Sequence, residues 1–279
     1  MNRITGKFVR ASQIIKTFKN WPMVFLRLFG CFAKGPLAIG THMVCTLRQG
    51  VKFKVRTEAK DDAIGTILGV WAQENHSHSR ASIKDSGVVI DIGAHIGTFS
   101  VMAATLSRKA KIYAYEPHPE NFGLLRDNIL LNGLEERISP VNSAVVGQGG
   151  AGKRALHIGN VTSTHSFYFS SGDNRMTVAC LTLPDIFQSN GIKQCDFLKI
   201  DCEGAEYEIL FNTPPEYMDR IGTIHVEFHE GAGIDHNRQE LWDFLKRSGF
   251  EVMLKAWHPN FGYIYGTKPA RASGAASKV

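Results

Sequence analysis

The chain has 279 residues, 43% of them hydrophobic, with a formal net charge of +6, a composition that is ordinary for a packed globular protein. Its five cysteines form no CxxC pair and are odd in number, which argues against a zinc ribbon or a disulfide framework and favours a reducing cytoplasm. Lysines and arginines are scattered, so a solvated basic surface is favoured over a nucleic-acid site.

Residues 1–50 mix apolar and basic side chains at helical spacing, and this pattern predicts one or two amphipathic helices interrupted near Pro22 and Gly30. We interpret them as a helical extension that packs on the main domain. Its basic, aromatic face could instead rest on an anionic membrane or cover a substrate. The apolar stretch 21–33 is short and contains Pro22 and Arg27, so no spanning helix is predicted.

Residues 51–85 are predicted to form a lead-in strand and helix. Residues 51–56 alternate apolar and basic side chains, and residues 63–73 show helical spacing. The polar run that follows contains His76 and His78. Since no carboxylate or cysteine stands nearby at ligand spacing, we interpret this run as a solvated loop and not as a metal site.

Residues 86–268 alternate predicted strands and helices, which indicates an α/β domain with a mainly parallel, doubly wound sheet. Strands are predicted at residues 88–92, 111–115, 138–146, 196–200, 222–228, 250–254 and 261–267. Helices are predicted near residues 98–108, 119–132, 181–189, 204–211 and 237–248. Residues 269–279, rich in small side chains, are expected to form a disordered tail.

A glycine-bearing turn with Gly93, His95 and Gly97 follows the first strand of this domain, which carries Asp91, and these four residues are candidate contacts for a cofactor. A strand, a tight turn and a helix N-terminus together typify a nucleotide site. His95 stands where a dinucleotide fingerprint needs glycine, so the turn lacks room for a pyrophosphate and argues against NAD. S-adenosylmethionine, whose amino-acid end carries no phosphate, suits the turn better.

Glu116 comes at the end of the next strand, where a carboxylate can accept hydrogen bonds from both ribose hydroxyls of such a cofactor. Asn142 closes the third predicted strand, beside the expected position of the adenine. It could bind the edge of the base or serve as an ordinary turn residue.

A second acidic motif, LKIDCEGAE, ends a hydrophobic strand at Asp201 and turns at Gly204 into a helix. Asp201, Glu203 and Glu206 are therefore expected near the carboxyl edge of the sheet, where ligands bind. These carboxylates could bind the ammonium group of the cofactor's methionine, act as a general base, or hold a metal.

Taken together, the stretches DIGAHIG, YAYEP, LKIDCEGAE and IHVEFH resemble the FkbM-type S-adenosylmethionine-dependent methyltransferases, over about residues 53–266. The resemblance implies a class I, Rossmann-like seven-stranded sheet whose last strand is antiparallel. It also implies methylation of hydroxyl groups on sugars, polyketides and other secondary metabolites. His95 stands where such proteins often have Asn, so the turn departs little from the family.

Methyl transfer to a hydroxyl needs in-line placement of the acceptor and removal of its proton. The candidate catalytic residues are Asp201, Glu203 and Glu227, with Lys199 placed to lower a neighbouring pKa or orient the acceptor. His225 and His229 flank Glu227 on its predicted strand, and all three side chains are expected to point to the same side of the sheet. The alternatives are a histidine base, a divalent metal held by Glu227 and Asp201, or simple hydrogen bonding at the sheet edge.

Residues 157–176 form a polar, aromatic insertion that is longer than a simple connection requires. An insertion above the cofactor is suited to building an acceptor pocket, with Asn160, Ser163, His165 and Ser166 as donors for a polyhydroxylated substrate. An exposed hairpin would explain the same residues.

The sequence therefore predicts a cytoplasmic O-methyltransferase that uses S-adenosylmethionine and acts on a small-molecule or glycan hydroxyl. An RNA or protein methyltransferase, which the basic balance favours, is the first alternative. A binding or scaffold protein that keeps the fold without turnover is the second, although the acidic residues at the sheet edge argue for activity.

Overall fold

The computed structural model describes residues 11–28, 41–58, 61–72, 77–147, 152–159, 163–168, 174–231 and 235–269. Its helices are α1 (residues 11–17), α2 (Trp21–Leu28), α3 (Ala63–Trp71), α4 (Ser77–Ile83), α5 (Thr98–Leu106), α6 (Pro119–Leu131), α7 (Leu183–Ser189), α8 (Glu206–Phe211), α9 (Pro215–Met218) and α10 (Arg238–Arg247). Its strands are β1 (His42–Thr46), β2 (Lys52–Arg56), β3 (Val88–Ile92), β4 (Lys111–Tyr115), β5 (Ile138–Val141), β6 (Ala144–Val146), β7 (Gly152–His157), β8 (Arg175–Thr182), β9 (Cys195–Ile200), β10 (Ile221–His229), β11 (Glu251–His258) and β12 (Phe261–Thr267).

Seven strands form the main sheet, in the order β11-β12-β10-β9-β3-β4-β5. The pairs from β10 to β5 are parallel, and β12 lies antiparallel between β10 and β11. This topology confirms the predicted fold class, including the antiparallel last strand. The strand order reverses between β3 and β9, which places a ligand-binding crevice at their carboxyl ends.

Helices cover both faces of the main sheet, because its parallel strands are apolar on both sides. Along β9, Phe197 packs into a core shared with the N-terminal segment, α3, α5 and α6, whereas Leu198 packs into a core shared with α7, α8 and α10. Successive side chains of a strand point to opposite faces, so one strand supplies both cores.

The prediction of one strand over residues 138–146 is wrong. β5 belongs to the main sheet, whereas β6 pairs with β8 in a separate three-stranded sheet of order β6-β8-β7. The break lies at Asn142, whose side-chain amide donates to the carbonyls of Glu116 and Pro117 at 2.8 and 3.0 Å. A side chain that bonds neighbouring backbone in this way replaces ladder hydrogen bonds and turns the chain.

The polar run that was predicted to be a loop contains helix α4, while His76 lies outside the described residues. Ser79 is buried, and its hydroxyl lies 2.6 Å from Nδ1 of His225. Burial of this helix against β10 and α5 therefore outweighs its weak apolar pattern.

The N-terminal segment contains the expected helices and also β1, which the helical pattern did not predict and which pairs antiparallel with β2. Phe18 is fully buried and bridges to Leu47, fixing α1 against this hairpin. No helix in the described part of the chain is long and apolar enough to cross a bilayer.

Candidate active site

A cavity of about 380 Å³ opens at the carboxyl edge of the main sheet, within the size range of small-molecule sites. Its walls come from the turn after β3, the ends of β4, β9, β10 and β12, helix α3 and the segment 163–167. The predicted site residues that line it are Gly93, His95, Glu116, Lys199, Asp201, Glu203 and Glu227.

The turn after β3 presses directly against the loop after β9. Gly93 adopts φ +77°, and a Cβ atom added there would lie 1.7 Å from the carbonyl oxygen of Asp201. Its N–H donates to the carbonyl of Tyr115 at 3.0 Å. Position 93 therefore requires glycine for two reasons, the positive φ angle and the close approach of the Asp201 carbonyl.

His95 presents an unused imidazole to the cavity. Its backbone adopts φ +52°, its side chain is buried, and neither ring nitrogen has a hydrogen-bond partner within the described residues. Burial lowers its pKa, despite the opposing influence of nearby aspartates, so the ring is neutral. A neutral imidazole offers one donor and one acceptor to a polar ligand.

Glu116 is held by two separate loops. Its Oε2 accepts the N–H of His95 and its Oε1 accepts the N–H of His118, both at 2.9 Å. Burial raises its pKa to about 7, although these two hydrogen bonds act in the opposite direction. The Asn121 side chain also hydrogen-bonds this carboxylate, which leaves a lone pair for a further donor, such as a ribose hydroxyl.

Lys199 joins the glycine turn to the acidic motif. Its Nζ lies 3.3 Å from carboxylate oxygens of both Asp91 and Asp201 and donates to the carbonyl of Gly93 at 3.1 Å. Burial alone would lower its pKa, but the two carboxylates outweigh burial and raise it, so the amine stays charged. Asp91 is fully buried behind the cavity wall, where it also accepts from Ser100.

Asp201, Glu203 and Glu227 all line one end of the cavity, and their mutual repulsion shapes their ionisation. Burial raises the pKa of Glu203 to about 7, with His229 opposing the shift. Burial and then Asp201 raise the pKa of Glu227 well above its ordinary value. Tyr263 on β12 stands directly opposite Glu227 in the strand register and lines the same end.

Glu206 clamps the loop that carries these carboxylates. It is fully buried and accepts from the backbone N–H groups of Cys202 and Gly204 at 3.0 and 2.8 Å. His229 Nδ1 lies 2.9 Å from Glu206, and its Nε2 lies 3.6 Å from Glu203. Burial would lower the pKa of His229, but Glu206 and then Glu203 raise it to about 10.

The two histidines that flank Glu227 do not join it in one site. His225 hydrogen-bonds Ser79 on α4, whereas His229 is held between Glu206 and Glu203. Within the described ranges there is no group of three or more histidine, cysteine or acidic side chains arranged to hold a metal ion.

The 157–176 insertion reaches the cavity through Ser163, His165 and Phe167. The His165 ring stacks on His118 with centroids 4.2 Å apart. Ser166 turns away from the cavity and donates to the carbonyl of Glu203, and Asn160 lies outside the described residues. Two of the predicted donors therefore line the cavity.

Three parts of the site differ from the sequence interpretation. Asn142 does not line the cavity, since its amide is used by backbone carbonyls. Tyr263 was missed, because only the pairing of β10 with β12 reveals it. Helix α3 was predicted, but its place in the cavity wall was not: Gly65 and Gly69, four residues apart, share one helical face and line the cavity.

A comparison with protein families settles which family the chain belongs to. The family model described as the methyltransferase FkbM domain matches residues 91–252 of this chain. The chain belongs to the FkbM methyltransferase family. S-adenosylmethionine is accordingly the cofactor of this FkbM-family methyltransferase.

Similar curated proteins include methyltransferase sdnD of Sordaria araneosa, 26% identical over 64% of this chain and 79% of the relative. The 31-O-demethyl-FK506 methyltransferase FkbM of Streptomyces tacrolimicus is 24% identical over 62% of this chain and 76% of the relative. The hexuronic acid methyltransferase AglP of Haloferax volcanii is 24% identical over 54% of this chain and 59% of the relative.

Among solved structures, the FkbM-family chain is similar to precorrin-6y C5,15-methyltransferase from Geobacter metallireducens GS-15. That match has a TM-score of 0.45 and 17% identity, and it covers 71% of this chain and 89% of the other.

Proposed function

We propose that this methyltransferase acts on a hydroxyl oxygen of a sugar, glycan or secondary metabolite, with Glu203 as general base. The observation that carries the proposal is the convergence of Asp201, Glu203 and Glu227 at one end of a cavity whose wall also contains the glycine turn and Glu116. A hydroxyl is a weak nucleophile and needs a proton acceptor at this point.

The residues beside the glycine turn fit the cofactor. His95 offers an unpartnered donor and acceptor, and Glu116 has a lone pair left for a ribose hydroxyl. The close contact between Gly93 and Asp201 keeps side chains out of the space between the two loops. When bound beside the glycine turn and Glu116, S-adenosylmethionine would supply the methyl group for the acceptor oxygen.

Glu203 is the best placed of the three carboxylates to take the acceptor's proton. Its pKa of about 7 suits a base that works near neutral pH, and its carboxylate lines the cavity. Asp201 is ion-paired to Lys199, and this contact ties its carboxylate to the glycine turn. Burial and the neighbouring Asp201 raise the pKa of Glu227, which shifts this carboxyl toward the protonated form that can donate a hydrogen bond to the acceptor.

Lys199, Glu206 and His229 are positioning residues in this account. Lys199 fixes the glycine turn to the end of β9, and Glu206 fixes the loop that presents Glu203. His229 remains charged beside Glu203 and favours its ionised form.

Polar groups in the cavity and two relatives support the class of acceptor. Ser163, His165 and Tyr263 provide hydrogen-bonding groups in the cavity wall, as a polyhydroxylated acceptor requires. One relative is named for hexuronic acid and another for a 31-O-demethyl compound, the latter name specifying an oxygen.

Glu203→Gln tests the base. With methyl-labelled S-adenosylmethionine at saturation and a heat-treated metabolite and glycan extract as acceptor source, we expect labelling to fall about 100-fold or more. At saturating S-adenosylmethionine, kcat/KM for the acceptor in the unaltered protein should rise with pH through about 7 and then level off, because Glu203 must lose its proton to act. The variant should lack this rise.

Calorimetric binding of S-adenosylhomocysteine is the control, and Glu203→Gln should leave it within about threefold, because no cofactor contact is assigned to Glu203. Unchanged turnover, or a loss of cofactor affinity that accounts for the whole defect, would remove Glu203 from the role of base.

A further inference from the structure

The N-terminal part of the chain has a one-sided charge. Residues 1–57 contain eleven lysines and arginines and no aspartate or glutamate. Because the whole chain has a net charge of +6, the remaining residues are net acidic. The basic character of the protein is therefore a property of this segment.

Helix α2 exposes apolar side chains where a surface helix ordinarily exposes polar ones. Its exposed residues are Trp21, Pro22, Met23 and Leu26. Of these, Trp21 is 37% exposed, Met23 38% and Leu26 46%. Met23 and Leu26 are three residues apart and share one helical face. Packing against the rest of the protein does not explain why this exposed face is apolar.

Arg27 fixes the orientation of α2 on the catalytic domain. Its buried guanidinium donates to the carbonyl of Asp61 at 2.7 Å and to that of Arg56 at 3.3 Å, and it lies 3.5 Å from the carboxylate of Asp61. Val24 is fully buried beside it. The apolar face of α2 is therefore held outward by the fold.

Exposed cations lie beside this face. Lys16 is exposed near the end of α1, and Lys19 is exposed on the turn between α1 and α2. The guanidinium of Arg48 donates to the carbonyl of Ile15 at 2.8 Å, which places it against the end of α1 while it remains exposed. Within the described residues, none of these three cations forms an ion pair with a carboxylate.

We propose that this N-terminal patch, made of Lys16, Lys19, Trp21, Met23, Leu26 and Arg48, docks the protein on the surface of an anionic lipid membrane. Apolar and tryptophan side chains insert at the headgroup boundary, while lysine and arginine attract acidic lipid headgroups. Helix α2 has eight residues, so the contact is peripheral. Nucleic acid would attract the cations but gives no role to exposed Met23 and Leu26.

Vesicle co-sedimentation of the full chain tests the proposal. We expect binding to vesicles of phosphatidylcholine mixed with phosphatidylglycerol, little binding to phosphatidylcholine alone, and weaker binding at high salt. Lys16→Gln with Lys19→Gln should weaken binding about thirtyfold, since each of the two cations contributes roughly 1 kcal/mol near an anionic surface. Met23→Ser with Leu26→Ser should weaken it to a similar extent, because apolar insertion is lost.

The matched control is Met253→Ser with Leu254→Ser on β11, since these side chains are 41% and 40% exposed but lie outside the patch. That variant should bind vesicles as the unaltered protein does. Unchanged binding of S-adenosylhomocysteine shows that each variant is folded.

Three results would overturn the proposal. The first concerns the vesicles themselves: the unaltered protein fails to bind anionic vesicles, or the variant Met23→Ser with Leu26→Ser binds them as strongly as the unaltered protein does. The second is a dimer in sedimentation velocity that this variant abolishes, which would assign the patch to a second copy. The third is salt-sensitive binding to polyuridylic acid, without vesicle binding, that the variant leaves unchanged.

Discussion

The groups around Glu116 determine both the orientation and the ionisation of its carboxylate. Two backbone N–H groups, from His95 and His118, point at its carboxylate and keep it in a single orientation at the cavity wall. Burial opposes its charge and raises its pKa to about 7. A ligand diol that donates to this carboxylate favours the ionised form, so cofactor binding and ionisation of Glu116 are linked.

Glu116→Gln should therefore weaken binding of S-adenosylhomocysteine by about 2 kcal/mol, or roughly thirtyfold in Kd, because hydrogen bonds to a charged acceptor are lost. Isothermal titration calorimetry measures this directly. Glu120→Gln is the control, since Glu120 lies four residues further on with a side chain that is 74% exposed. Equal affinities for the two variants would rule out a cofactor role for Glu116.

At the scale of elements, the site depends on two loops that meet edge to edge. The turn after β3 and the loop after β9 touch at Gly93 and Asp201, and Lys199 bonds both of them. Glu206 then fixes the second loop from beneath through two backbone N–H groups. These contacts support the shape of both loops.

Gly93→Ala should separate these loops, because its Cβ would overlap the Asp201 carbonyl and its φ of +77° is unfavourable for alanine. We expect the free energy of unfolding to fall by about 2 kcal/mol or more, together with loss of cofactor binding. Urea unfolding followed by circular dichroism measures the change.

Gly123→Ala is the matched substitution, since it lies within α6 with nothing within 4 Å of the added Cβ. It should leave stability unchanged or raise it by up to about 1 kcal/mol. A Gly93→Ala protein as stable as Gly123→Ala would contradict the close approach of the two loops.

Across the whole molecule, local signals were readable from the sequence and long-range pairings were not. The glycine turn and Glu116 could be predicted, because a strand, a turn and the next strand determine their positions. The opposition of Glu227 and Tyr263 could not, because it depends on the register of β10 with β12. Asp91 was expected to contact the cofactor, but ion pairing with Lys199 holds it behind the wall.

The same distinction explains the strand that was wrongly predicted over residues 138–146. The sequence there is apolar enough for one strand, and the break arises from the hydrogen bonds of Asn142 to carbonyls 25 and 26 residues earlier. The place of helix α3 in the cavity wall and the stacking of His165 on His118 likewise depend on tertiary contacts. Sequence patterns therefore predicted the glycine turn and the acidic strand ends in the cavity wall better than the parts of the wall formed by α3 and β12.

The central claim is that the methyl group goes to a hydroxyl oxygen. Incubating the protein with S-[methyl-¹³C]adenosylmethionine and a heat-treated metabolite and glycan extract, followed by two-dimensional carbon–proton NMR, identifies the atom that receives the label. The account predicts a methoxy carbon signal that is absent with Glu203→Gln. A signal from a methyl group on nitrogen or carbon, or no labelled product from a protein that binds S-adenosylhomocysteine, would contradict it.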